Sequence, residues 1–524
     1  MSSPGIGYAL LGAWAVAMVG LSYLIFRRQH VDDTREFITA GGRAQVGLTT
    51  ASFAVTWMWA GDILGVPEYV GLTGVAGIWM YAAPAVLSSL IVIPFALRMR
   101  RLFPQGLTYS EYFIERFDKR AHVAVIFVIL YTMILGGVIQ LYVGGTVIGG
   151  LTGIDPNVVM AILMGTIGIY ILLGGLWGSM TTDLVQFVSA IILTVVFVPL
   201  LLFEAGGPTG VYEGMIENLG ENADPFLTAS NLNWIEDLFL PYALGLGVWG
   251  VVSLSTWQRI FAVRRDKTSR FLTAGGIGVF TTIAMYGVIG LVGLAAFPEV
   301  APGNLSIEAL GLLPGWATIL FLVIALMVLG SSVDSYLTAI ASLTSRDIYY
   351  RHLATDASDE DQLRVARVAS LGFAVIIFGA TVFALDTFGF IQLLLIGGIG
   401  ATALVGPFAL SLFWTGTSSE GFIAGVVGSQ LVTAYLLAAN YGFVVTEPSL
   451  KLWEIMAVGH LLATALAVVV SAISPDEFEF DSIAREPTTG PATDAESAAR
   501  TDGGTASEAS RATGEHGSAG GEDR

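Results

Sequence analysis

The sequence predicts an all-α polytopic membrane protein with an inverted five-plus-five helix repeat at its core. Three observations carry that prediction. The first is composition: of 524 residues, 54% are hydrophobic and 13% charged, with a mean hydropathy of +0.72. Soluble domains are about a quarter charged. The second is a series of apolar stretches, each long enough to cross a bilayer, at 4–26, 47–70, 75–97, 121–149, 157–175, 182–204, 236–257, 271–296, 314–344, 366–385, 388–413, 420–440 and 452–473, thirteen in all. The third is the placement of bases. Alternate loops carry Arg27, Arg28, Arg35 and Arg43; Arg98, Arg100, Arg101, Arg116, Lys119 and Arg120; Arg259, Arg264, Arg265, Lys267 and Arg270; and Arg346, Arg351, Arg364 and Arg367. The intervening loops hold no base except Lys451. The positive-inside rule then puts the N-terminus outside and the C-terminus in the cytoplasm of a multi-pass cell-membrane protein.

Each span has its own logic. Span 4–26 lacks a basic leader and is long enough to cross, so it reads as a membrane helix rather than a cleaved signal. Span 47–70 contains Gly61, Asp62, Gly65, Pro67 and Glu68, an unusual load for a membrane helix, and a break near its middle is expected. Gly145-x-x-x-Gly149 and Gly174-Gly175-Leu176-Trp177-Gly178 suit close helix packing. Thr181-Thr182-Asp183 opens span 182–204, where capping a helix N-terminus is the simplest role. The loop 205–235 holds Glu213, Glu217, Glu221 and Asp224 and no base. Span 236–257 carries Gly245-x-Gly247-x-x-Gly250. This matches the dinucleotide fingerprint by letter, but no strand precedes it, and close packing or an unwound backbone is the better reading.

Taking 47–204 as five spans and 236–413 as the next five, the odd count makes the second set enter the membrane inverted. The first helix of each set is breakable, at Thr56–Glu68 and at Gly245–Ser253. Interrupted helices at matching positions of two inverted halves mark a transport site. Trp57, Trp59 and Trp249 flank the two breaks and are expected as pocket walls, with Asp62 facing the same cavity.

Span 314–344 is apolar for its first half and then reads Gly330-Ser331-Ser332-Val333-Asp334-Ser335. Ser331, Asp334 and Ser335 share a face by the i, i+3, i+4 rule, with Ser332 beside them. Isolated serines in membrane helices usually bond their own i−4 carbonyl. A cluster with a carboxylate makes an oxygen-rich patch suited to a hard cation such as Na⁺.

The remaining composition excludes other classes. Cysteine is absent, and the five histidines, His30, His122, His352, His460 and His516, form no ligand pattern in sequence. A net charge of −18 does not suit nucleic acid, and a chain with only Lys119, Lys267 and Lys451 for lysines fits a halophilic source. No nucleophile–base pair suggests an enzyme, and no cofactor is expected. Residues 1–473 form the transmembrane domain, and 474–524 read as a disordered acidic cytoplasmic tail.

Over residues 5–473 the chain resembles the sodium/solute symporter family. The motifs are Gly41-Gly42-Arg43; Leu173-Gly174-Gly175-Leu176-Trp177 with Thr182-Asp183-x-x-Gln186; Trp257-Gln258-Arg259-Ile260-Phe261-Ala262; and Ser331-Ser332 followed by Arg346-Asp347-Ile348-Tyr349. The resemblance implies a LeuT-like inverted repeat with one extra N-terminal and two extra C-terminal helices. It implies a sodium site built from the carbonyls of Thr56, Trp59 and Val328 and the hydroxyls of Ser331 and Ser332. It implies a second sodium position at Ser331, Asp334, Ser335 and Asp183, with Asp334 departing from the usual hydroxyl. Asp62 falls where sugar carriers have an acidic pocket residue, but Ile63 beside it speaks against sugar. The expected function is Na⁺-coupled symport of a small organic solute by alternating access. Proline-like zwitterions, monocarboxylates, pantothenate and urea all remain open. The alternatives are H⁺ coupling through Asp334 or Asp62, an ion channel, or a non-transporting sensor.

Overall fold

The computed structural model describes residues 3–29, 34–104, 106–226, 232–441, 449–476 and 478–484, and among them the regular elements are all helices. Helix α1 (Pro4–Gln29) precedes a short α2 (Thr34–Thr39). The first repeat then runs through α3 (Val46–Trp57), α4 (Gly61–Thr73), α5 (Gly77–Leu102), α6 (Glu111–Arg116), α7 (Lys119–Thr152) and α8 (Pro156–Glu204). A connecting α9 (Gly207–Leu219) leads to the second repeat: α10 (Leu240–Gly245), α11 (Trp249–Val252), α12 (Leu254–Ala262), α13 (Thr268–Ala296), α14 (Leu305–Gly311), α15 (Gly315–Ser342), α16 (Asp359–Thr387) and α17 (Phe390–Phe413). Helices α18 (Ser419–Tyr441) and α19 (Leu452–Ile473) follow, and α20 (Asp481–Ala484) ends the compact unit. The expected tail therefore starts with a stretch that packs: Phe478 and Phe480 lie over the Arg116 and Arg98 guanidinium groups. From 485 onward the tail lies outside the described residues.

Eleven helical stretches among the described residues are long and apolar enough to cross a membrane, against the thirteen spans expected. Two further apolar helices, Val46–Trp57 and Pro156–Leu172, are shorter. The first stops at the break expected in 47–70, where Met58 leaves helical geometry at φ −77°, ψ 73°. The second runs into Gly175, at φ 51°, ψ −145°, which kinks α8. A side chain at Gly175 would put its Cβ 2.5 Å from the Phe37 ring, so glycine is required there both for conformation and for the approach of α2.

The centre of the bundle is α15. Every residue from Val328 to Ser342 is buried, the signature of a helix surrounded on all sides. Gly330 lets Trp14 of α1 in from one side: an added Cβ would lie 2.8 Å from that ring. The serines of α15 are thus interior, with no lipid-facing member.

Candidate functional site

The first break leaves backbone groups without helical partners, and neighbouring elements satisfy them. Asp62 N–H bonds the Trp59 carbonyl at 2.9 Å, and Ser306 Oγ donates to the Ile63 carbonyl at 2.6 Å. Ser332 Oγ on α15 lies 3.1 Å from the Thr56 carbonyl and 3.2 Å from its own i−4 carbonyl, Val328. Three of the five expected sodium ligands, Thr56 O, Val328 O and Ser332 Oγ, therefore converge between the break and α15. The other two are otherwise engaged. The Trp59 carbonyl turns into the next helical turn, and the Ser331 hydroxyl donates to Asp183 Oδ1.

The second repeat breaks in the expected stretch. A tight turn at Leu246–Val248 separates α10 from α11, and Ser253, extended at φ −70°, ψ 109°, separates α11 from α12. Tyr109 donates to the Val252 carbonyl at 2.7 Å and Trp257 to that of Val251 at 2.8 Å, so side chains serve these two carbonyls of the second break.

The residues of the second expected cation position, Ser331, Asp183, Asp334 and Ser335, lie in one hydrogen-bonded cluster together with Arg259. Asp183 lies within α8 rather than at its start, so the capping role does not apply. Its carboxylate accepts from Ser331 and Ser52 and pairs with Arg259 at 2.9 Å, all three residues being buried. Arg259 also donates to Ser52 at 2.7 Å, Thr56 at 3.0 Å, Ser335 at 2.7 Å and the Ser255 carbonyl at 2.9 Å. Asp334 accepts from Tyr170 at 2.9 Å, Ser179 at 2.9 Å and Ser335 at 3.2 Å. Two carboxylates and one guanidinium leave this buried cluster one positive charge short of neutrality when both acids are ionised. Burying an uncompensated charge is expensive.

Asp62, Trp57 and Trp59 line a small cavity with Ala85, Tyr242 and Leu246. Its free volume is about 10 Å³, room for about one water. Tyr81 donates to Asp62 Oδ1 at 3.0 Å, while buried Oδ2 has no hydrogen-bond donor among the described residues. Trp249 does not line this cavity; it packs edge-on against Trp59, ring centroids 5.8 Å apart. A larger cavity of about 370 Å³, with Glu236, Asp237, Gln392 and Lys451 on its walls, lies away from the breaks.

Sequence reasoning missed the partners supplied from a distance: Ser52, Tyr170, Ser179, Tyr81 and Tyr242. Arg259 was visible as a base inside a motif, yet nothing in its own neighbourhood pointed to Asp183. Two histidines thought to be scattered, His122 and His352, also meet.

Two interrupted helices facing a central helix across buried polar groups define the architecture of a secondary transporter. The model of the sodium:solute symporter family matches residues 37–428, and the chain belongs to that family, whose members are transporters rather than enzymes. A urea-proton symporter, DUR3, of Oryza sativa subsp. japonica is 26% identical, the match covering 91% of this chain and 72% of that one. The sodium/pantothenate symporter of Escherichia coli (strain K12) is 24% identical over 84% of this chain and 93% of that protein. In fold, the chain is similar to a Na⁺-coupled sialic acid symporter solved in a substrate-bound outward-open state. The TM-score is 0.73 at 19% identity, covering 90% of this chain and 99% of the other.

Proposed function

We propose that this symporter carries a small uncharged amide of the urea kind inward together with Na⁺, by alternating access. The observation that carries the coupling is the Ser332 hydroxyl seated on the Thr56 carbonyl, where the interrupted helix meets α15. Oxygen donors from both sides of a moving junction suit a monovalent cation that must bind and leave. Ser331, Asp183, Asp334 and Ser335 next to it are a second candidate position, already holding the Arg259 guanidinium. The basic loops face the cytoplasm and the N-terminus lies outside, in the cell membrane.

The chemistry of the cavity lining supports this solute class. Its one charged lining residue is Asp62, whose free carboxylate oxygen wants an N–H donor. No base lines it, so a monocarboxylate, pantothenate or a zwitterion would bring an unpaired carboxylate against Asp62. Urea offers four N–H donors, no charge and a flat shape suited to the aromatic walls Trp57 and Trp59 once the cavity, which here has room for about one water, widens. Urea-transporting relatives agree with this choice.

The second reading is proton coupling. Asp334 is buried in a cluster short of one positive charge, which a proton would neutralise as well as an ion. The urea-proton relative favours it. Uptake by proteoliposomes separates the readings. Urea, acetamide, proline, lactate and pantothenate are offered with an inward Na⁺ gradient at equal pH, or with an inward proton gradient without Na⁺. Urea accumulation that needs Na⁺ is expected. Accumulation of only the carboxylates would overturn the solute assignment, and accumulation driven by protons alone would overturn sodium coupling.

A further inference from the structure

Helix α7 carries an amide in the middle of an apolar span. The sequence there reads Gly136-Gly137-Val138-Ile139-Gln140-Leu141-Tyr142-Val143-Gly144-Gly145, with Gln140 between two glycine pairs. One glycine of each pair lets α15 in. A Cβ at Gly136 would lie 2.8 Å from the Tyr336 ring, and one at Gly144 would strike Leu329. The other member of each pair faces elsewhere, Gly137 toward Ile377 of α16 and Gly145 toward Met160 of α8. Gly136, Gln140 and Gly144 are spaced by four, so they form one stripe along α7, and that stripe faces α15. The two helices run antiparallel, since the higher number on α7 meets the lower one on α15. Gln140 is therefore level with Ser332 and Val333, midway between Tyr336 and Leu329.

Gln140 is completely buried, and among the described residues neither its Nε2 nor its Oε1 has a hydrogen-bond partner. Its neighbours on α7 show how such groups are ordinarily served. Thr132 donates to the Val128 carbonyl at 3.0 Å, Tyr131 to that of Ile396 at 3.1 Å and Tyr142 to that of Phe388 at 3.2 Å. A carboxamide offers two donors and an acceptor oxygen. Leaving both ends open in a dry interior costs stability that an apolar side chain of the same shape would not. An incoming partner of complementary chemistry accounts for such a group.

The stripe also leads to the solute cavity. Tyr336, seated against Gly136, packs edge-on to Trp59 with ring centroids 6.2 Å apart, and Trp59 is a wall of the cavity that holds Asp62. Gln140 stands one turn beyond Gly136, about 5.4 Å along α7. Helix α7 runs away from the basic loops, starting at Lys119, and α4 leaves the break near Trp59 in the same direction. Asp62 and Gln140 thus lie on the same side of the Trp59–Tyr336 contact, one on α4 and the other on α7.

We propose that Gln140 is a specificity-determining residue, the second pole of the solute site, which pairs edge to edge with the amide group of the solute while Asp62 takes an N–H from its other amino group. In that pair Gln140 Oε1 accepts from a solute N–H, and Gln140 Nε2 donates to the solute carbonyl. Urea fits both poles because it has one carbonyl and two amino groups. A carboxylate would present two acceptors to the same edge and leave Oε1 unpaired. Sites whose buried groups an analogue leaves unpaired reject that analogue strongly. Gln140 does not line the one-water cavity, so the pairing forms when the cavity widens past Tyr336.

The pairing rests on the urea reading of the cavity. Its test is initial urea uptake by proteoliposomes at saturating sodium, comparing wild type with Gln140→Met, whose side chain is unbranched and adaptable. Half-saturating urea should rise roughly five- to a hundredfold, the effect of losing two neutral hydrogen bonds. Half-saturating sodium should move less than about twofold. The melting temperature in detergent should not fall, because the variant removes an unpaired buried amide; an amide that serves only the fold would lower it and leave half-saturating urea alone. Unchanged half-saturating urea, or a shift confined to sodium, would overturn the pairing. The wild type alone supplies a second check. Acetamide keeps the carbonyl and one amino group, whereas acetone, of nearly the same shape, keeps only the carbonyl. Acetamide should compete with urea and acetone should not; equal competition would overturn the pairing even if Gln140→Met failed to fold. A wild type that accumulates carboxylates and no urea would overturn the solute assignment and the pairing together. Urea uptake that Gln140→Met leaves intact would overturn the pairing alone.

Discussion

Ser332→Ala removes one hydroxyl from the junction between the first break and α15. That hydroxyl lies 3.1 Å from the Thr56 carbonyl and 3.2 Å from that of Val328, and it is completely buried. On the proposed reading its oxygen is one of five sodium ligands, so the variant keeps four. In the ion-free state it also leaves the Thr56 carbonyl without its donor in α15. A neutral hydrogen bond contributes about 0.5–1.5 kcal/mol net, and an orphaned buried group costs about 1–3 kcal/mol. Loss of one ligand oxygen in the ion-bound state, on the order of 1–2 kcal/mol on this scale and at about 1.4 kcal/mol per factor of ten, raises the half-saturating sodium concentration roughly five- to thirtyfold. The assay is initial urea uptake by proteoliposomes over a sodium series at constant ionic strength, pH and membrane potential. The half-saturating urea concentration, measured at saturating sodium, should move less than about twofold, because Asp62 is untouched. An unchanged sodium curve would refute the ligand assignment. An equal fractional loss at every sodium concentration would show that Ser332 serves only the fold.

Three other substitutions probe separate parts of the site. Asp62→Asn keeps an acceptor for Tyr81 but removes the charge that the solute meets. Hydrogen bonds to charged groups are worth about 1.5–3 kcal/mol, so half-saturating urea should rise roughly ten- to a hundredfold with sodium dependence intact. Asp334→Asn should leave sodium-driven uptake in place if Asp334 serves only a proton route, and should abolish any uptake driven by a proton gradient alone; loss of sodium dependence instead would make Asp334 an ion ligand. Gly65→Ala would place a Cβ 2.8 Å from the Phe390 ring and 2.9 Å from Tyr81, overpacking that destabilises by about 1–3 kcal/mol. Its melting temperature in detergent should fall by several degrees, whereas Gly47→Ala, with no neighbour within 4 Å of the new methyl, should not.

Much of the fold was legible because the bilayer imposes a one-dimensional rule. Length, apolarity and alternating bases report spans without knowledge of their partners. The breaks were legible for the same reason, since Gly61, Asp62, Gly65 and Pro67 violate that rule locally, as does the glycine run at 245–250. What escaped was set by partners distant in sequence. Arg259 reaches Asp183 across 76 positions and Ser52 across 207, and Tyr170 reaches Asp334 across 164. Asp183 looked like a cap because a span was drawn to begin at 182. The chain instead keeps α8 helical through that point and kinks it earlier, at Gly175. The pairing of His122 with His352 depends on the π-helical turn after Ser342, and no periodicity in sequence announces such a widening.

The Ser332 hydroxyl also bears on how tightly an ion can be held. A hydroxyl donating to the Thr56 carbonyl presents its proton to that junction, whereas a cation needs its lone pair. On the proposed reading, sodium entry therefore breaks the Ser332–Thr56 bond and turns both oxygens toward the ion. The ion gains two ligands, and the protein gives up one hydrogen bond of about 1 kcal/mol. The ion-free and ion-bound junctions thus hold the break to α15 by different bonds of comparable strength, one between protein groups and one through the cation. That exchange keeps affinity moderate, so the ion can leave where its concentration is low. It also leaves the interrupted helix attached in both states, with the change felt as a shift at Thr56 and Trp59, beside the walls of the solute cavity. A hydrophobic residue at 332 would supply neither bond, so the junction would hold the ion more weakly even if packing survived.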